Sequence, residues 1–302
     1  MTNVSAATPR MNLTGSLWMV ASMAAFSFED AFLKLASAAM PVSHVMLSFG
    51  SLGMLVFALL CRARRQSMFP SDLKHFSVVL RFGFEVFGRL FFTLSLVLCS
   101  LSSTVAILQA TPLVVVGGAA LVFHERISVR RWLAIFVGLL GVLLILRPAA
   151  SDFSVLSLLA VLGMLGLALR DLATRAAPRT IPNAVLGFYS FASIVVAGVF
   201  YAIWEGVPYR MPDILDLPVL AGAALAGALG YIALTEAMRT GDVSVVTPFR
   251  YTRLVCGAVF GVMLFGETIG IVDLAGTALI VGSGMYVLLR ANGSRVHDTE
   301  ER

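Results

Sequence analysis

The chain of 302 residues is 59% hydrophobic and only 13% charged, with a mean hydropathy of +0.91. Soluble domains carry about 25% charged residues, so a soluble fold is excluded and a polytopic helical membrane protein is implied. The net charge of +5 argues for no nucleic acid, because most arginines fall in short connections between apolar runs, where membrane topology accounts for them.

Ten apolar runs follow one another: 13–35, 42–61, 76–99, 103–123, 131–147, 154–175, 183–204, 214–238, 243–265 and 271–290. Each is close to the ~20 residues a membrane helix needs. The expected fold class is therefore an all-α membrane protein of ten transmembrane helices, with polar tails at 1–12 and 291–302. The N-terminus lacks a basic stretch leading into a short apolar core and a cleavage site, so no removable signal peptide is expected. With the N-terminus inside, 14 Lys and Arg fall on the inner side, three on the outer side and five within spans. That asymmetry places both termini in the cytoplasm, in a multi-pass membrane protein.

Several chemistries find no support. Cys61, Cys99 and Cys256 form no CxxC pair, and no H-x3-H spacing occurs, so neither a disulfide framework nor a metal site is expected. No G-x4-G-K-[ST] is present, which argues against an ATP-driven pump. No cofactor is implied, and no Ser/His/Asp group can be assembled from the loops, so an enzyme is not expected.

The chain repeats itself. Asp30, Lys34 and Pro41 match Asp171, Arg175 and Pro182 at an offset of 141. Near the other end of each half, Glu125 matches Glu267 at an offset of 142. Two halves of five spans, 13–147 and 154–290, must enter the membrane with opposite orientation, because five is odd. Inverted repeats are a signature of secondary transporters, with the solute site near the midplane between the halves.

Charges inside the spans are the candidates for that site, since an arginine at the bilayer centre costs roughly 3 kcal/mol even on a lenient scale. Arg81, Glu85 and Arg89 are spaced by four on one face of span three. Either Glu85 and Arg89 meet a solute, or the ladder satisfies itself. Arg250 and Arg253 share a face of span nine and cannot pair with each other. Arg250, flanked by Phe249 and Tyr251, could grip a planar polar ring system, or could pair with Glu85 or Asp30. The i, i+4 pairs Asp30–Lys34 and Asp171–Arg175 read as gating or coupling candidates, or as ordinary helix-end ion pairs. Glu29 and Arg170 occupy matching positions and could meet at the pseudo-twofold axis. Pro112, after Thr111 and close to Gln109, frees a carbonyl that could serve solute or water, or simply kinks the span. Gly257-x3-Gly261 and the small residues of 221–230 read as helix contacts. Glu125 and Glu267 read as caps.

Ten spans in two repeats, Thr111-Pro112 with Glu125 thirteen residues later, and Gly266-Glu267 closing the ninth span together resemble the drug/metabolite transporter superfamily, EamA type. The likeness covers essentially the whole chain. Pro248 departs from the pattern, because the repeat mate of Pro112 is Leu254. The run Pro248-Phe249-Arg250-Tyr251 is similar to a subgroup that includes bacterial S-adenosylmethionine and riboflavin carriers. The resemblance implies gradient-driven movement of a small polar organic solute through a cavity lined by spans one, three, four, six, eight and nine. Riboflavin uptake is the first expectation, with S-adenosylmethionine uptake or amino-acid export as alternatives. A membrane-embedded lipid-modifying enzyme is the competing class. The partners implied are the solute and the lipid bilayer, with a homodimer left open.

Overall fold

The apolar runs fold as helices because, in hydrocarbon, every backbone N–H and C=O must be satisfied within its own segment. The structure, a computed structural model, describes residues 9–122, 128–146, 155–175, 180–240 and 246–300. Its helices are α1 Pro9–Ala39, α2 Val42–Ala63, α3 Phe76–Leu98, α4 Leu101–Leu108, α5 Thr111–Val122, α6 Val129–Leu146, α7 Leu158–Arg175, α8 Asn183–Glu205, α9 Leu217–Thr240, α10 Thr252–Phe265 and α11 Ile271–Glu300. α4 and α5 are the two parts of a broken fourth span. A 3-10 turn, Thr247–Tyr251, interrupts the ninth span and leads into α10. The ten spans expected are thus present. Five stretches are long and apolar enough to cross a membrane on length and composition alone: Val42–Ala63, Leu101–Val122, Val155–Thr174, Asn183–Glu205 and Leu217–Met238. α1 and α3 are outside that group. They carry Glu29, Asp30 and Lys34, and Arg81, Glu85 and Arg89.

The duplication is visible in the backbone. Pro41 and Pro182, 141 residues apart, both occupy the N-cap position, of α2 and α8, in an extended conformation (ψ 144° and 146°). Proline suits the position before a first helical turn, whose N–H groups need no partner within the helix. Arg65 and Gly206, also 141 apart, both close their helices in the left-handed region, at φ 53° and 68°. A non-glycine residue seldom adopts that conformation.

The most extensive helix contacts are α1 with α9, α3 with α7, α2 with α8, and α6 with α11. Every one joins the first half to the second. The first two exchange under the repeat, and the other two map onto themselves, as an inverted pseudo-twofold requires. Small residues let these helices approach. Gly88 of α3 lies against the backbone of Gly166 and Leu167, and the carbonyls of Gly141 and Gly276 face each other's glycine across α6 and α11. Gly222, Gly227 and Gly230 of α9 take Phe32, Glu29 and Phe26 of α1. Gly257 meets Val105, so the glycines of 257–261 serve the contact between α10 and α4. Phe191 stacks between Phe49 and Phe57, with centroids at 5.3 and 5.6 Å, in the α2–α8 contact. Outward-facing Leu55, Leu59, Leu133, Phe136, Leu225 and Leu229 give the bundle its apolar exterior.

Candidate functional site

Burying a carboxylate or a guanidinium is tolerated only where each finds a partner, so the intramembrane charges can be followed pair by pair. Arg81 Nη2 lies 3.1 Å from Glu85 Oε2. Its guanidinium also donates to Thr174 Oγ1 at 3.0 Å and Ser190 Oγ at 3.2 Å. The other Glu85 oxygen accepts from Arg170 Nη1 at 3.1 Å. Arg170 in turn holds Asp171 Oδ1, from Nη2 at 2.7 Å and Nε at 3.0 Å. The α3 ladder therefore does not close on itself. It reaches α7 and α8, and Arg89 leaves it altogether to pair with Glu29 Oε1 at 3.2 Å. Glu29, Asp30 and Glu85 are essentially sealed from solvent.

Of the two helix-end pairs read from spacing, Asp30–Lys34 is not the one that forms, and Asp171–Arg175 lies partly outside the described residues. Asp30 is held by Arg253, from Nη2 at 2.7 and 2.8 Å and from Nε at 3.1 Å. The same guanidinium lies between the Phe26 and Phe92 rings, 5.3 and 5.6 Å from their centroids. Lys34 pairs instead with Glu267 at 3.0 Å and donates to the Cys99 carbonyl at 2.7 Å. Asp171 is taken by its neighbour Arg170, and the Arg175 side chain lies outside the described residues. Glu29 and Arg170 do not meet, because each is paired with a residue of α3. Spacing reports neighbours on one helix, which holds for Arg81 with Glu85, whereas the partners of Glu29, Asp30 and Lys34 lie across the bundle.

Glu267 is the cap expected of it. Its carboxylate accepts from the Leu101 N–H at 2.6 Å and from Ser102 through N–H at 3.0 Å and Oγ at 2.7 Å. It thus caps the N-terminus of α4, where the helix dipole favours an anion. Burial alone would raise this carboxyl, but the hydrogen bonds from Ser102, Leu101 and Lys34 hold it below the ordinary carboxylate value. Its repeat mate Glu125 lies outside the described residues.

The two broken spans touch at their breaks. Pro112 removes the donor that would bond the Leu108 carbonyl, and the Thr111 hydroxyl donates to that oxygen at 2.5 Å. The carbonyl expected to serve solute or water is already occupied. Gln109, buried in the turn between α4 and α5, donates from Nε2 to the Arg250 carbonyl at 2.8 Å. The two residues are 141 apart, so this contact lies where each half meets its own copy.

Arg250 differs from the other intramembrane arginines of the network. Among the described residues no carboxylate comes within the 4.0 Å of an ion pair, and Asp171 acts on it only from a greater distance. The partners considered for it, Glu85 and Asp30, are both taken. Phe249 is exposed. Tyr251 is buried where the 3-10 turn meets α11, its hydroxyl pressed against Gly284 and without a hydrogen-bond partner. A cavity of about 70 Å³ lies among α4, α10 and α11, lined by Ser100, Ser102, Ser103, Glu267, Thr268 and Thr277 among others. It sits at the Glu267 end of the bundle, and none of the expected solute residues lines it. The polar partners Thr174 and Ser190 had no signal in the sequence beyond being hydroxyls inside apolar runs.

The EamA-like transporter family matches residues 13–147 and again 155–289. The chain belongs to this family. An S-adenosylmethionine uptake transporter of Rickettsia conorii is 23% identical over 279 residues, 91% of this chain and 92% of that protein. One from Rickettsia bellii is 25% identical over 211 residues, 70% and 71% of the two chains. A riboflavin transporter of Brucella anthropi is 26% identical over 195 residues, 63% and 68%. A solved crystal structure, 18% identical, superposes with a TM-score of 0.60 over 91% of this chain and 96% of its own, which supports the fold alone. The EamA-type protein is thus a multi-pass membrane transporter built from two copies of one five-helix unit.

Proposed function

We propose that this protein is a secondary carrier for a small polar organic metabolite, working by alternating access in a bacterial inner membrane with both termini in the cytoplasm. The solute binds between the inverted halves, and Arg250 is its main polar contact. The observation that carries this reading is the situation of Arg250. It is an arginine within a span, beside a network of paired charges, and no carboxylate of the described residues comes within ion-pair distance of it. Such a group marks a solute pathway by default. The bond from Gln109 to its carbonyl puts it at the meeting point of the two broken spans, where carriers of inverted repeats bind their cargo.

S-adenosylmethionine is the first solute to test. Relatives so named align over as much as 91% of the chain. Riboflavin comes second, supported by relatives of that name and by the exposed Phe249 ring. The aromatic grip that favoured riboflavin needed Tyr251 as well, and that ring is packed against Gly284 of α11. Uptake of each radiolabelled solute into sealed vesicles containing the protein is the test. Accumulation of intact solute above empty vesicles supports the reading. Conversion of the added compound or of lipid, without accumulation, would replace it with the enzyme class. Arg250→Ala should lower uptake at least about tenfold at unchanged protein level, the loss expected when a charged hydrogen-bond partner is removed. Undiminished uptake would make Arg250 irrelevant to the solute.

A further inference from the structure

The described spans hold five guanidiniums near the charge network, on Arg81, Arg89, Arg170, Arg250 and Arg253, against four carboxylates, on Glu29, Asp30, Glu85 and Asp171. Glu29 serves Arg89, Asp30 serves Arg253, Glu85 serves Arg81 and Arg170, and Asp171 serves Arg170. Lys34 and Glu267 neutralise each other at the far turn. Glu236, in the last turn of α9, makes no ion pair with Arg250 among the described residues. Among the described residues, Arg250 is the one of these five guanidiniums without an ion pair.

A half-buried guanidinium inside an apolar span is unfavourable without a counter-ion, so a counter-ion is expected where one persists. A guanidinium offers a planar fork of donors that fits a carboxylate or phosphate in two parallel hydrogen bonds. Gln109 fixes the backbone from which this side chain extends, so the guanidinium starts from the meeting point of the two broken spans. We propose that Arg250 receives an anionic group, a carboxylate or a phosphate, carried by the solute. This rests on the carrier reading above and narrows it. The solute class is a polar metabolite with an acidic group, and a neutral ring system alone does not satisfy the site.

The test uses two matched pairs and the full-length purified protein. The pairs are S-adenosylmethionine with its decarboxylated form, and riboflavin 5′-phosphate with riboflavin. Thermal unfolding reads binding. In whichever pair binds, the anionic member should act at a concentration at least about tenfold lower than its partner, and Arg250→Gln should abolish that preference while Arg250→Lys keeps part of it. A ligand-free arm needs no solute: Arg250→Gln should raise the unfolding midpoint of the empty protein, because it removes an uncompensated charge. Equal binding of both members of a pair, or a lowered midpoint in empty Arg250→Gln protein, would overturn the proposal. Failure of the carrier reading is a separate result, namely folded wild-type protein that moves none of the four compounds into vesicles. The ligand-free midpoint decides the charge question even then.

Discussion

Arg250 and Arg253 stand three residues apart and meet opposite conditions. Arg253 has both Asp30 oxygens and two aromatic faces, so it is fully engaged and its role is to tie the ninth span to the first. Asp30→Asn leaves that guanidinium buried and unpaired, a change that costs about 3–5 kcal/mol. The expected outcome is a much lower unfolding midpoint and a poor yield of folded protein in detergent. The double variant Asp30→Asn with Arg253→Met should recover most of the loss, and a double variant no better than the single would show that the pair is not the source. That each of these charges mattered was legible in the sequence, because every one stands in an apolar run. Which acid each arginine would take was not. Lys34 was the obvious partner of Asp30 by helical spacing, whereas Arg253 is 223 residues away in sequence and only the packing of α1 against the ninth span brings it near.

Breaks and caps decide what the elements can do. Pro112 and Pro248 announced irregular backbone inside apolar runs, and both fourth and ninth spans are indeed interrupted there. The use of the freed Leu108 carbonyl was not legible, since a hydroxyl one residue before the proline competes with solute and wins by being adjacent. Glu267 binds the end of the ninth span to the starts of α4 and, through Lys34, to α1. Its folded carboxyl titrates below the ordinary 4.5. A depressed value means that its contribution is fully present above about 4.5 and is lost as pH falls through the lower folded value. Glu267→Gln should therefore lower the unfolding midpoint at neutral pH, by the equivalent of about 1.5–3 kcal/mol for charged hydrogen bonds. The gap between variant and wild type should close as the pH is taken below 4.5. A gap that stays constant through that range would show that the carboxylate's charge does not matter to the cap.

At the scale of the whole molecule, the repeat in the sequence foretold two five-helix units, and the family model, matching twice, agrees. It did not foretell that the units interleave. An offset between similar residues says what is alike and is silent on what touches. All four principal helix contacts run between halves, so neither half has a core of its own. Residues 1–150 and 151–302, expressed as two separate chains in the same cells, should co-purify and bind solute together, while either alone should be degraded or aggregate. Stable, monomeric single halves would contradict the interleaved core.

The interleaving also sets a timetable for biosynthesis. Asp30 enters the bilayer 223 residues before Arg253 is translated, a delay on the order of 10–45 s at ordinary elongation rates. Ser22, whose hydroxyl bonds the Gly230 carbonyl, waits for 208 residues. During that interval α1 holds an acid at membrane depth with its final partner still unmade. The insertion machinery, or water near it, has to shelter that acid until the ninth span arrives, so the slowest demand this protein makes on the cell falls before it has carried any solute.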